Sequence, residues 1–198
     1  MKWTVYLTLS VWSMSIGAGC ASITKVFYHE PHEISVSDAR KVYHYDDYSD
    51  RHKKLTSEQS RSINDLHGEE ISREGDLIAY YHAKKRKPLR DKADIFLVHV
   101  RGEGSQLDLI VSTRGRIVDQ IVVKNNLIRE GKPAVPNEFL QQFIGHSLQD
   151  SWQMAEKPQD LVALPSMIRP ISGRRKISKE ITSNIRKVLV WLTVLEIQ

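Results

Sequence analysis

Four segments with the composition of β-strands follow one another through the middle of the chain. They are DLIAYYHA (Asp76–Ala83), ADIFLVHV (Ala93–Val100), QLDLIVS (Gln106–Ser112) and RIVDQIVVK (Arg116–Lys124). The connections between them contain Pro88, Gly102, Gly104 and Gly115, which are typical of hairpin and meander turns. The order therefore predicts an antiparallel sheet of four or more strands with the helices elsewhere in the chain, an α+β fold.

Two helices are predicted on either side of these strands. Thr56 can cap the first one, and Gln59 stands at the third helical position of a capping box. Gly68 is the expected end of this helix. The second helix lies in PNEFLQQFIG, with Asn137 as its cap and Gly145 as its end.

A third, amphipathic helix is predicted from about Ser178 to Leu192. Ile181, Ile185 and Leu189 recur at helical spacing and form one apolar face. We expect this face to pack on the core of the domain. Since a chain of 198 residues supports one core of this kind, one folded domain is expected over residues 51–198.

The first residues have the layout of a secretory signal peptide. Lys2 precedes an uncharged, mostly apolar run from Trp3 to Ala18, and small residues follow it. Cys20 is the only cysteine in the chain, and its position after Gly-Ala-Gly resembles the lipobox of bacterial lipoproteins. Ordinary cleavage after Ala21 is the alternative, and both lead to export. Residues 1–20 are thus predicted to be a signal peptide and lipid anchor, and residues 21–50 a tether and lead-in.

The rest of the sequence has no arrangement of residues that is typical of an enzyme. It has no nucleophile elbow, no Walker loop, no HExxH and no CxxC, so no catalytic or metal-binding residue is assigned. The net charge is +5, which in an exported protein favours contact with anionic lipid or an acidic partner over nucleic acid.

Four stretches in a fixed order resemble the FMN-binding domain family. They are LTSEQSRSINDLHG, LDLIVSTRGRIVDQIVV, FLQQFIGHSLQD and ISGRRKISKEITSNIRKVL, and they extend from about Leu55 to Leu192. The family includes periplasmic subunits of the Rnf complex and of the sodium-pumping NADH:quinone reductase. The resemblance implies an FMN-carrying electron-transfer module on the periplasmic side of the cell envelope. Its partners would be envelope redox proteins or a membrane complex.

The last stretch departs from the family at the flavin attachment motif, Ser-Gly-Ala-Thr. Ser172 and Gly173 are kept, but Arg174 replaces the alanine and Arg175 replaces the threonine. Arg169 stands where the family has an acidic residue. In many members FMN phosphate is esterified to the threonine, and a guanidinium offers no hydroxyl for that bond. Covalent attachment at this position is therefore chemically excluded.

What remains is a glycine turn that enters a helix beside three basic residues. Backbone N–H groups at a helix N-terminus, together with guanidinium donors, are suited to phosphate. The residues predicted to hold non-covalent FMN are Ser172, Gly173, Arg174, Arg175, Lys176 and Ser178. The alternative is a flavin-free envelope lipoprotein that uses the same scaffold to bind a protein partner.

Overall fold

The computed structural model describes residues 39–40, 43–85, 92–102, 105–124, 128–129, 132–133, 135–164 and 166–197. The signal peptide, Cys20 and most of the tether therefore lie outside the described residues, and their assignments stay predictions. Within the described ranges, no helix combines the length and the apolar character needed to cross a bilayer.

A five-stranded antiparallel sheet forms the centre of the domain. Its strands are adjacent in chain order: β1 (Asp47–Lys54), β2 (Leu77–Lys84), β3 (Lys92–Gly102), β4 (Ser105–Arg114) and β5 (Ile117–Val123). A separate two-stranded ribbon consists of β6 (Ile128–Arg129) and β7 (Lys132–Pro133). The four predicted strands correspond to β2–β5, so the α+β architecture is confirmed.

Strand β1 was not predicted from the sequence. Its residues, DYSDRHKK, are almost all charged or polar, and most of them are exposed. The strand nevertheless pairs with β2 along its whole length, from Asp47 opposite Lys84 to Lys54 opposite Leu77. Charged side chains on an edge strand discourage further strands from adding to the sheet. Backbone pairing with β2 defines β1, and its side chains give no apolar pattern.

Four helices have bounds within the described residues: α1 (Ser57–His67), α2 (Asn137–Gln141), α3 (Pro158–Ala163) and α4 (Arg175–Val194). The capping box on α1 is confirmed, because Thr56 Oγ1 accepts from Gln59 N and Gln59 Oε1 accepts from Thr56 N. Gly68 ends the helix with a φ of 83°.

The other helix boundaries differ from the sequence predictions. Pro136, not Asn137, occupies the cap position of α2, and the helix ends at Gln141, with turns continuing to Gly145. Helix α3 was not predicted. Helix α4 begins at Arg175, three residues before the predicted Ser178. Arg175 and Lys176 therefore belong to its first turn, and Arg174 occupies the cap position.

The core lies between α4 and one face of the sheet. Ile181, Ile185 and Leu189 are at most 1 % exposed, which agrees with the predicted apolar face. Trp191 of the same helix contacts Phe96 of β3, with ring centres 6.2 Å apart. Alternate residues of β3 point to the opposite face, where a smaller apolar cluster forms around Ile95. Helix α4 is therefore the main structural partner of the sheet.

Candidate functional site

The predicted phosphate turn is a compact structure closed by its own hydrogen bonds. Gly173 has a φ of 68°, a left-handed conformation that favours glycine. Arg174 N donates to Ile171 O at 3.0 Å. Ser178 Oγ accepts from Ile171 N at 2.9 Å and donates to Arg174 O at 2.8 Å. Because Ser178 is completely buried, its hydroxyl fastens the turn to α4 and offers no surface to a ligand.

Arg175 joins the start of α4 to the segment that contains Ala155. Its Nη1 donates to Ala155 O, and its Nη2 donates to Glu156 Oε1 at 3.1 Å. The segment is held in turn by Ile168, whose N donates to Gln153 O at 2.8 Å. Arg175 is 33 % exposed, so the guanidinium is partly accessible while it positions this segment.

A cavity of about 430 Å³ lies along α4, between this helix, the end of α1 and the segment of residues 152–156. We call it the α4 cavity. Three apolar or aromatic side chains line it: Trp152, Met154 and Met167. Three cations from α4 also line it: Arg175, Lys179 and Arg186. The volume is within the range of small-molecule sites in proteins.

The Trp152 side chain is held in place by its neighbours. Its Nε1 donates to Ser147 O at 3.2 Å. Its ring stacks on Phe143 with an interplanar angle of 17° and meets the His146 ring edge-on at 5.5 Å. A preorganised indole that also lines the cavity is a suitable wall for a flat aromatic ligand, because stacking then requires little ordering of the protein.

The three cations share one face of α4. They are four and seven residues apart along the helix, which brings them to within about 40° of one another around the axis. Arg186 also donates from Nη1 to His67 O at 3.0 Å, which connects α4 to the end of α1. The carboxylates of Glu69 and Glu156 line the same cavity, so its charge is only moderately positive.

His67 contributes a neutral imidazole to the wall. It is 4 % exposed, and its Nε2 lies 3.3 Å from Ser183 Oγ. Burial lowers the pKa of His67, and the nearby Arg186 charge lowers the pKa further. Its Nδ1 is buried and has no hydrogen-bond partner among the described residues. At neutral pH the ring therefore adds a polar but uncharged group.

The structure brings only part of the predicted site to this cavity. Of the six residues predicted from the turn, Arg175 alone is among the residues that line it. Ser172, Gly173 and Lys176 are exposed, and Arg174 is half-buried. The sequence analysis did not identify Lys179 and Arg186, although their spacing from Arg175 places all three residues on one face of a helix.

No sequence pattern indicates the apolar side of the α4 cavity. Trp152, Met154 and Met167 lie in irregular segments without helical or strand periodicity. No cluster of three or more metal-ligating side chains occurs within the described ranges.

The α+β fold places the α4 cavity beside the main helix of the domain. No family model, no curated protein and no solved structure matches the chain. The resemblance to the FMN-binding domain family therefore depends on the four sequence stretches alone and stays a prediction.

Proposed function

We propose that this chain is an exported FMN-binding module of the bacterial cell envelope, which carries electrons between envelope redox proteins. The α4 cavity holds the FMN without a covalent bond. The observation that supports this most strongly is the combination in one cavity of the fixed Trp152 indole, two methionines and three cations. FMN has the matching parts, a flat aromatic ring system and a phosphate.

The phosphate is assigned to the end of the cavity near Arg175 and Lys179. Their Cα atoms are about 6 Å apart along the helix axis, close enough for both side chains to reach one phosphate. Arg186 is about 10 Å farther along and is too distant to share it. Because Glu156 already neutralises part of the Arg175 charge, Lys179 is the stronger electrostatic partner.

The protein's contribution is binding, orientation and exclusion of water. Trp152 and the methionines provide the apolar surface against which an aromatic ring system lies, and the cations fix which end of the ligand enters. FMN supplies the redox chemistry itself when it is bound. No residue of the cavity is assigned a covalent role, because Arg175 replaces the threonine that carries the flavin in the family.

A flavin-free lipoprotein that binds a protein partner is the second candidate. The self-contained hydrogen bonding of the turn favours it, since Ser178 and Arg175 are both engaged within the chain. Under this proposal the exposed basic residues contact an acidic partner. The two candidates differ in whether the cavity binds flavin.

The test compares FMN with riboflavin, which lacks the phosphate, on three variants. Lys179→Gln is expected to weaken FMN about ten- to a hundred-fold and to leave riboflavin unchanged, because a charged hydrogen bond contributes about 1.5–3 kcal/mol. Lys176→Gln removes the same charge from an exposed position outside the cavity, and we expect a change below about twofold. Trp152→Leu is expected to weaken both ligands.

The same experiment can reject the assignment. If Lys176→Gln weakens FMN selectively and Lys179→Gln does not, the phosphate binds at the turn, as the sequence alone predicts. Equal losses for FMN and riboflavin in Lys179→Gln would contradict a phosphate contact at Lys179. Dissociation constants from fluorescence titration, with circular dichroism as a check on folding, provide the measurement.

A further inference from the structure

A second cavity, of about 340 Å³, lies on another face of α4 and is not used by the proposed function. It is bounded by the chain from Glu69 to Arg73, by Asp76 and by residues of α4 that include Lys187. Lys187 follows Arg186, so its side chain leaves the helix about 100° away from the α4 cavity. We call this space the Lys187 cavity.

Among the lysines in the described part of the chain, Lys187 is the one whose side chain is buried. The residue is only 9 % exposed, and its Nζ lies 4.8 Å from the centre of the Trp191 ring. Trp191 belongs to the hydrophobic core. The amine is therefore held at the boundary between the core and the cavity.

We propose that Lys187 is a reactive amine that captures an uncharged aldehyde or ketone as an imine in the Lys187 cavity. The ligand occupies the part of the Lys187 cavity that lies next to the amine. Neither the fold nor the proposed flavin site depends on this reaction.

Burial gives Lys187 the reactivity that the reaction needs. Desolvation lowers its pKa to about 8, although the negative charge of Asp76 acts in the opposite direction. At pH 7, roughly one amine in ten is then uncharged, against roughly one in three thousand for an ordinary lysine. Only the uncharged amine has a lone pair that can attack a carbonyl carbon.

The charges around the cavity select the class of ligand. Four carboxylates and two cations line it: Glu69, Glu70, Asp76, Glu180, Arg73 and Lys187. Arg73 is already engaged, because its Nε donates to Glu70 Oε1 at 3.1 Å. The remaining carboxylates repel an anionic carbonyl compound, and an uncharged one avoids this repulsion.

The reaction balances without an oxidant or a reductant. The Lys187 nitrogen bonds to the carbonyl carbon and gives up one proton, while the carbonyl π bond breaks and its oxygen takes up a proton to give a carbinolamine. That oxygen then leaves as water together with the second proton from the nitrogen, and the carbon–nitrogen double bond forms. The carboxylates that line the cavity are suitable groups to accept and return the proton.

The test uses the full chain, an uncharged aldehyde (butanal) and an anionic one (glyoxylate), with cyanoborohydride to trap the imine at pH 7. Mass spectrometry then measures the modified fraction of each lysine. Lys176 and Lys179 are exposed lysines of the same helix and serve as internal controls. We expect butanal to modify Lys187 at least about tenfold more than either control, a lower bound that allows for restricted access. With glyoxylate in place of butanal, the ratio of Lys187 modification to control modification should be at least about tenfold lower.

A Lys187→Arg variant keeps the positive charge and should lose the preferred site without affecting the controls. Equal modification of Lys187 and Lys176 by butanal would overturn the proposal. Equal preference for butanal and glyoxylate would overturn the assigned ligand class. Because every comparison in the wild type is internal, a folding defect in the variant does not affect the result.

Discussion

Replacing Lys187 by methionine is expected to stabilise the protein at pH 7. A pKa that falls from 10.5 to about 8 on folding means that holding the charged amine in the folded state costs about 3 kcal/mol. Methionine fills a similar volume without a charge. The cation–π contact with Trp191 acts only on the charged amine, so its effect belongs to the folded-state pKa and is not a separate loss. The expected gain in the free energy of unfolding is therefore up to about 3 kcal/mol.

The pH dependence gives the clearer result. Because the folded pKa of Lys187 is lower than the unfolded one, the unfolded chain binds more protons between about pH 8 and 10.5. The stability of the wild type should therefore rise by about 3 kcal/mol across this window from Lys187 alone. The Lys187→Met variant should lack this contribution.

Urea unfolding of the wild type and the variant at pH 7 and pH 10 measures both effects. Lys179→Met is the matched control, since it removes the same charge from an exposed position on the same helix. It should change the stability by less than about 0.5 kcal/mol. The reasoning is refuted if Lys187→Met is less stable than the wild type at pH 7 and its stability changes with pH as that of the wild type does. That result would mean that neighbouring groups stabilise the charge of Lys187 in the folded protein.

Two further predictions concern the core and the α4 cavity. Val188→Ala should lower the free energy of unfolding by about 2 kcal/mol, because Val188 is fully buried. Val162→Ala is the control and should lower it by less than about 0.5 kcal/mol, because Val162 is 86 % exposed. Similar losses for the two variants in urea unfolding would contradict the packing of α4. Because the pKa of His67 is lowered in the folded protein, the unfolded chain protonates this residue at a higher pH than the folded protein does. Lowering the pH below about 6.5 should therefore reduce the free energy of unfolding. His67→Gln should reduce this loss between pH 7 and pH 5, and an unchanged loss would assign the acid sensitivity to other groups.

The sheet and the main helix were predictable because their residues carry strong local patterns. Strands β2–β5 bury apolar side chains and are separated by turn residues, and α4 repeats apolar residues at Ile181, Ile185 and Leu189. Strand β1 could not be predicted in the same way, since residues such as Arg51 and Lys53 show no apolar alternation. Its structure comes from pairing with β2, a tertiary interaction.

The candidate site was predictable only where it coincides with α4. The sequence directed attention to the turn before the helix, and Arg175 is the point at which the turn and the α4 cavity meet. Trp152 and Met154 reach the cavity because residues 153–155 pair with Ile168 through isolated backbone hydrogen bonds. Contacts of this kind between irregular segments leave no periodic signal in the sequence.

The most direct test of the account is a titration of the wild-type protein with FMN, followed by flavin fluorescence and by thermal unfolding. The account predicts saturable quenching with one FMN per chain, an increase in the unfolding temperature, and FMN affinity at least about tenfold above that of riboflavin. Added salt should weaken FMN binding, since the phosphate contacts are partly exposed to solvent. Unchanged fluorescence together with an unchanged unfolding temperature at millimolar FMN would contradict the flavin proposal and favour the flavin-free lipoprotein.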